Sequence, residues 1–288
     1  TLIRNICSII HIIVYMSGSS SFNHHKNTEV SLELLSKIRF GILMFENHAL
    51  GRCMLAEMKT QGIVPTIVIE ERSKLAEKRC GFYFRQMGVS YPDLPFVKDF
   101  IEESDGNISH KIVSNINNEE AETAAKAANI DIFILGGVRI IKEHMLETSK
   151  HGSINCHPGV LPWVQGSLPV CRSIIHDIPI AGACHRVSSE LDKGALCDIT
   201  FLDRSRCGNR FEDLISETCK LGAVQVCNVI KHLSKTGELP TFEPLSTDEG
   251  VCFNWTDDVE QEAQDYLARP DYVAPIWRGP KHIPPLPF

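Results

Sequence analysis

Asn155, His157 and Asp192 are the residues whose types and spacing suit a single reaction. In the run Asn155-Cys156-His157-Pro158-Gly159-Val160-Leu161-Pro162, an extended backbone sends successive side chains to opposite faces. Asn155 and His157 therefore share one face, and Cys156 takes the other. The amide can donate a hydrogen bond and the imidazole can donate as imidazolium. The carboxylate of Asp192, within Glu190-Leu191-Asp192-Lys193-Gly194, would favour that charged form or accept a proton itself, directly or through water. This set matches acyl transfer to an amine. That reaction passes through a tetrahedral oxyanion, so it needs donors aimed at the oxygen, a base for the attacking amine and an acid for the leaving group.

The elements that must position these groups follow from the pattern around them. Pro158 cannot donate a ladder hydrogen bond, so a strand over 152–156 ends there and leaves His157 at its carboxyl edge. In open parallel sheets ligands bind at that edge, where the strand order reverses. Upstream, β-rich apolar runs at 38–45, 64–70, 111–116 and 131–135 alternate with helical spacing over 49–61, 72–87, 119–128 and 140–149. This alternation predicts an α/β fold, a Rossmann-like, doubly wound, mostly parallel sheet with helices on both faces. Downstream, a helix over 168–176 precedes strands at 180–188 and 195–202, joined by the turn that carries Asp192 and Gly194. A long helix over 211–232 is closed by Gly237. Eight of the fifteen prolines lie beyond Gly237, too many for another sheet-and-helix unit, so the pattern there predicts an extended proline-rich tail packed on the domain. The expected division is a leader over 1–36, a catalytic domain over 37–237 and the tail over 238–288.

Composition narrows the function. The formal net charge of -7 gives no whole-chain basic footprint for phosphate backbones, which argues against a DNA-binding role. Eleven cysteines form no C-x-x-C pair. Five of them (Cys53, Cys156, Cys184, Cys197 and Cys227) sit in apolar runs, so the cysteines read as reduced, buried thiols of a cytoplasmic protein. No ligand spacing fits a metal site. Residues 6–15 form an apolar run too short to span a bilayer, so no membrane association is expected. The chain begins at Thr1, and a polar stretch with paired His24 and His25 follows Met16. Residues before Met16 read as an upstream artefact, with a genuine signal or anchor as the alternative, and those after it as a disordered leader.

Three blocks together carry a family resemblance: Asn155-x-His157-Pro158-x-x-Leu161-Pro162, Gly182-x-x-x-His185 and Leu191-Asp192-x-Gly194. Their order and spacing resemble the 10-formyltetrahydrofolate-dependent formyltransferases, the group that includes glycinamide ribonucleotide and methionyl-tRNA formyltransferases. The resemblance implies catalytic roles for Asn155, His157 and Asp192, with 10-formyltetrahydrofolate as formyl donor. It also makes Gly136-Gly137-Val138-Arg139-Ile140-Ile141 one wall of a folate pocket, with Arg139, Ile140 and Ile141 as contacts. Residues 187–191, with Val187, Glu190 and Leu191, form the opposing wall. Arg139 can serve folate or pair with Glu143 one helical turn on. His185 matches a second family histidine but reads as structural, and the remaining histidines, His48 and His110 among them, read as surface residues.

The chain also departs from individual members of that group. Phe45-Glu46-Asn47-His48 stands where glycinamide ribonucleotide enzymes carry a glycine-rich phosphate loop, and Glu46 would repel a phosphate. Only about fifty proline-rich residues follow the last predicted helix, where methionyl-tRNA enzymes carry a further domain. The expected acceptor is therefore a primary amine of a small metabolite, an amino sugar nucleotide or an amino acid. The alternatives are a methionyl-tRNA formyltransferase lacking that domain, a formyltetrahydrofolate hydrolase and a non-catalytic folate-binding module.

Overall fold

The computed structural model describes residues 35, 37–104, 107–242, 251–254 and 256–275. Apart from Leu35 the expected leader lies outside them, as do Trp255, Pro280, Pro284, Pro285 and Pro287. The first half alternates strands with helices, two helices in a row lying between β2 and β3: β1 (Phe40–Phe45), α1 (Ala49–Thr60), β2 (Ile67–Glu71), α2 (Lys74–Ser90), α3 (Val97–Glu102), β3 (Ser109–Val113), α4 (Glu119–Ala128) and β4 (Ile132–Leu135). A short α5 (Glu143–Leu146) leads to β5 (Ser153–His157), β6 (Val164–Gly166), α6 (Pro169–Ile175), β7 (Ala181–Arg186) and β8 (Leu196–Phe201). The chain continues through α7 (Arg204–Cys207), α8 (Phe211–Thr236), β9 (Val251–Phe253) and α9 (Val259–Leu267).

Seven strands form one sheet in the order β3-β2-β1-β4-β5-β7-β8. β1 to β5 are parallel, whereas β7 pairs antiparallel with β5 and β8 antiparallel with β7. Strand order reverses between β1 and β4, one strand away from β5. Alternation along β1 shows why the sheet is covered twice. Ile42 and Met44 join a core with Met54 of α1 and Val226 of α8, while Leu43 faces Ala121 and Ala125 of α4. Each fully buried side chain of that size stabilises the fold by about 1.5–3 kcal/mol, so two covered faces hold the sheet far more firmly than one. The cysteines at 53, 156, 184, 197 and 227 are buried free thiols, and burial pushes Cys53 and Cys227 up to about 12.

Local chemistry fixes several boundaries. Asn118 caps α4 by accepting from the Ala121 N–H at 2.9 Å, and Gly237 in left-handed conformation closes α8. The predicted helix over 140–149 shrinks to α5 because Asn117 captures the backbone before it. Its amide donates to the Ile140 carbonyl at 3.0 Å and its oxygen accepts from the Lys142 N–H at 2.7 Å. The tail corrects the expectation of an extended wrap: β9 pairs parallel with β6, and α9 packs Val259 and Ala263 beside Val170 and Ile174 of α6. The prolines fall outside 245–269, which leaves that stretch free to form both elements.

His48 is also corrected. Its side chain is buried and caps α1, with Nδ1 accepting from the Leu50 N–H at 3.2 Å, and burial pushes its pKa down to about 4. His110 contacts the buried carboxylate of Glu70 at 2.6 Å. Among the described residues, no helix is long and apolar enough to cross a membrane.

Candidate active site

β5 runs one residue further than expected and ends at His157, against Pro158. Asn155 pairs in register with Leu135 of β4 on one side and His185 of β7 on the other, and His157 pairs with Ala183. Asn155, His157 and His185 therefore project from one face of the sheet, the face that carries Leu135 and Ile141. Because β7 runs antiparallel to β5, its last residue, Arg186, lies opposite Ile154. Residues 187–195 must then return across that face to reach His157. Two hydrogen bonds pin the ends of this return, from Val187 N–H to the Ser153 carbonyl at 2.8 Å and from Arg186 N–H to the Ala195 carbonyl at 2.9 Å. Gly194 permits the tight exit, since a Cβ there would lie 1.6 Å from the Arg186 carbonyl oxygen.

The loop delivers Asp192, in a left-handed backbone conformation at φ 53°, to both histidines. Its Oδ2 lies 3.5 Å from His157 Nδ1 and its Oδ1 lies 3.5 Å from His185 Nε2. Oδ2 also accepts from the Gly166 N–H at 2.8 Å. Burial alone would raise the carboxyl, but His157, His185 and the Gly166 N–H outweigh it and hold Asp192 well below the usual carboxylate range. Asp192 is the anion of the set.

For His157 burial is the larger effect and lowers the pKa despite the facing carboxylate. Burial thus favours the neutral imidazole, while the facing Asp192 favours the imidazolium of the sequence reading. The Val164 carbonyl, 2.7 Å from Nε2, can only accept, so Nε2 carries the proton and Nδ1 turns a lone pair toward Asp192. His185 Nδ1 likewise donates to the Arg186 carbonyl at 2.9 Å, leaving Nε2 to meet the Asn155 amide nitrogen at 3.3 Å. His185 thus belongs to the constellation that the sequence reading left it out of. The signal was the block from Gly182 to His185, discounted there because a histidine within an apolar strand reads as structural; a single strand does not reveal what its side chains face across the ladder.

Around this centre the two expected walls meet. Ile141 is buried in one apolar cluster with Leu135, and Val138 and Val187 pack against it. Ile140 and Leu191 stay exposed, at 73% and 46%. Glu190 is exposed and pairs with Lys193 at 3.2 Å. Arg139 does not pair with Glu143, because the helix begins only at Glu143 and the i,i+4 relation never forms. Its guanidinium instead binds Glu71 at the end of β2, with Nε at 3.1 Å. The buried carboxylate of Glu71 also accepts from Ser73 at 2.6 Å and from the Ile116 N–H at 3.0 Å. Glu46 is neutralised by Arg72, with Nε at 2.7 Å. A cavity of about 520 Å³, lined among others by Arg52, Tyr91, Phe96 and Phe100, opens between α1 and the segment around α3 and contains none of the site residues.

Comparison with known proteins gives a consistent picture. Residues 97–200, which include Asn155, His157, His185 and Asp192, match the formyl transferase family profile. A methionyl-tRNA formyltransferase of Thermotoga neapolitana is 32% identical over 168 residues, covering 54% of this chain and 54% of its own. One from Sphingopyxis alaskensis is 26% identical over 158 residues, covering 53% and 48%. The chain spans about half the length of these curated relatives. Among solved structures, a phosphoribosylglycinamide formyltransferase from Anaplasma phagocytophilum superposes with a TM-score of 0.51 at 17% identity, over 69% of this chain and 87% of that one. A 4-N formyltransferase from Francisella tularensis superposes with a TM-score of 0.51 at 15% identity, over 81% and 90%. At these identities the two structures share the fold.

Proposed function

We propose, from the match of residues 97–200 to the formyl transferase family profile, that the chain moves a formyl group from 10-formyltetrahydrofolate to a primary amine. The observation that carries the reading is the meeting of Asp192 with His157 and His185 on one sheet face, beside a half-buried Asn155. As the amine nitrogen bonds to the formyl carbon, the Asn155 amide donates to the developing oxyanion. His157 Nδ1 takes the proton that the amine loses, and Asp192, a few ångströms away, stabilises the imidazolium. The same proton then passes to the donor's N10 as the C–N10 bond breaks, and His157 returns to its neutral form. Exposed Ile140 and Leu191, with Ile141 and Val187 packed close by, fit a flat pterin. Arg139 is fixed by Glu71 and would frame that wall.

The acceptor proposed is the amine of a small metabolite, an amino sugar nucleotide or an amino acid. Its support is the net charge of -7, which is unfavourable to a polyanion. The curated relatives favour a second reading, in which the amine belongs to methionyl-tRNA. The test is conversion of 10-formyltetrahydrofolate to tetrahydrofolate by absorbance, with amino sugars, amino acids and aminoacyl-tRNA offered separately. Turnover with one small-amine pool supports the first reading, and turnover only with aminoacyl-tRNA supports the second. Formate release at the same rate without any amine would overturn both in favour of hydrolysis.

A further inference from the structure

Both members of the proton-handling pair are held by the backbone of one very short strand. The Val164 carbonyl accepts from His157, and the Gly166 N–H donates to Asp192. These are the two ends of β6, which has three residues and no place in the main sheet. Such a strand has little stability of its own. Its partner comes from beyond α8: β9 pairs Val164 with Val251, Gln165 with Cys252 and Gly166 with Phe253, and the Ser167 N–H donates to the Phe253 carbonyl at 2.8 Å. Contact is close enough to demand glycine. Gly166 has φ 87°, and a Cβ there would lie 2.3 Å from the Phe253 carbonyl oxygen.

β9 is in turn fastened to α6 and the residue after it. The Phe253 ring stacks on His176 at 5.2 Å between centroids and 24° between planes, and the Arg172 guanidinium lies over it at 5.1 Å. Arg172 also donates to the Asn254 carbonyl at 3.3 Å and to the Thr256 hydroxyl at 3.0 Å. A continuous set of contacts thus runs from α6 through Phe253 and β6 to His157 and Asp192.

We propose that the segment around β9 is a positioning clamp for the active site, with Phe253 as its anchor: it holds β6 so that Val164 orients His157 and Gly166 orients Asp192. Phe253 touches no reacting atom and acts through β6. Its kinetic consequence rests on the formyl-transfer reading, whereas its structural consequence does not.

The test compares Phe253→Ala, Phe253→Leu and Phe253→Tyr in the full chain. It measures kcat, the KM for 10-formyltetrahydrofolate and the pH titration of the Asp192 carboxyl carbon by NMR. Phe253→Ala should lower kcat by about 10- to 100-fold, the scale of a small misplacement of catalytic groups. The donor KM should stay within about twofold, and the Asp192 titration should move up toward the ordinary carboxylate range as the Gly166 hydrogen bond loosens. Phe253→Tyr should retain both properties. A folded Phe253→Ala with unchanged kcat and an unchanged Asp192 titration would overturn the clamp. Global unfolding of both the Ala and Leu variants would also overturn it, by making the segment part of the general core. If the parent turns over no amine at all, the titration alone decides: a shift supports the clamp while the formyl-transfer reading fails.

Discussion

A carboxylate taken out of water stays charged only when other groups replace its hydration; at Asp192 the Gly166 N–H donates directly, and the carboxylate gains the charge of any proton that His157 or His185, each 3.5 Å away, takes up. That arrangement makes the charge of Asp192 the property to remove. Asp192→Asn should lower kcat by about 10²–10⁴, the range of general acid–base contributions, with donor binding largely retained. Asn155→Ala should cost about 10²–10³ in kcat, as for the loss of one oxyanion donor. Steady-state kinetics with the identified amine checks both, and full turnover by a folded Asp192→Asn would remove the carboxylate from the mechanism. Asn155 and His157 were legible because strand alternation and Pro158 fix their common face from local sequence. His185 was not, since its role depends on which residue it opposes in β5. Nor was the partner of Arg139, because nothing local to 139 points to Glu71 on another strand.

At the scale of elements, His48 ties the start of α1 to pH. The imidazole is neutral in the folded protein down to about 4 but takes up a proton near 6.5 when unfolded. The unfolded state therefore binds more protons between those values, and stability falls as pH drops through that window. Protonation would also remove the Nδ1 lone pair that caps Leu50. Between pH 7 and 4.5 the loss from this one group should be about 2–3 kcal/mol. His48→Asn keeps a capping acceptor that does not titrate, so urea unfolding should show a smaller drop for it over the same interval. Equal drops for the two proteins would remove His48 as the cause. Where local rules govern both ends of an element, the sequence sufficed: the helix expected over 119–128 is α4, capped at both ends by asparagine. It failed over 140–149, where Asn117 from a distant turn holds the backbone away from helical pairing.

For the molecule as a whole, charge separates the two acceptor readings. With a small amine, kcat/KM should change by less than about twofold between 50 and 200 mM salt. An acceptor gripped through six to ten phosphates would lose about 10³–10⁵ in affinity over that range. Rates measured across a salt series decide between them, and a steep slope would sink the small-metabolite reading. The doubly wound architecture was legible from the alternation of strands and helices before residue 200, while the tail misled because proline content was read over the segment as a whole. The proline-free stretch within it supplies both β9 and α9. That placement orders events in time as well as in space. β6 leaves the ribosome well before β9, with two strands and the long α8 between them, so its ladder closes late and over a long separation. A nascent chain can thus bury most of its core before Phe253 arrives to brace β6. If the clamp holds, completing the fold and completing the site are separate moments of synthesis, and the proposed chemistry waits until β9 docks.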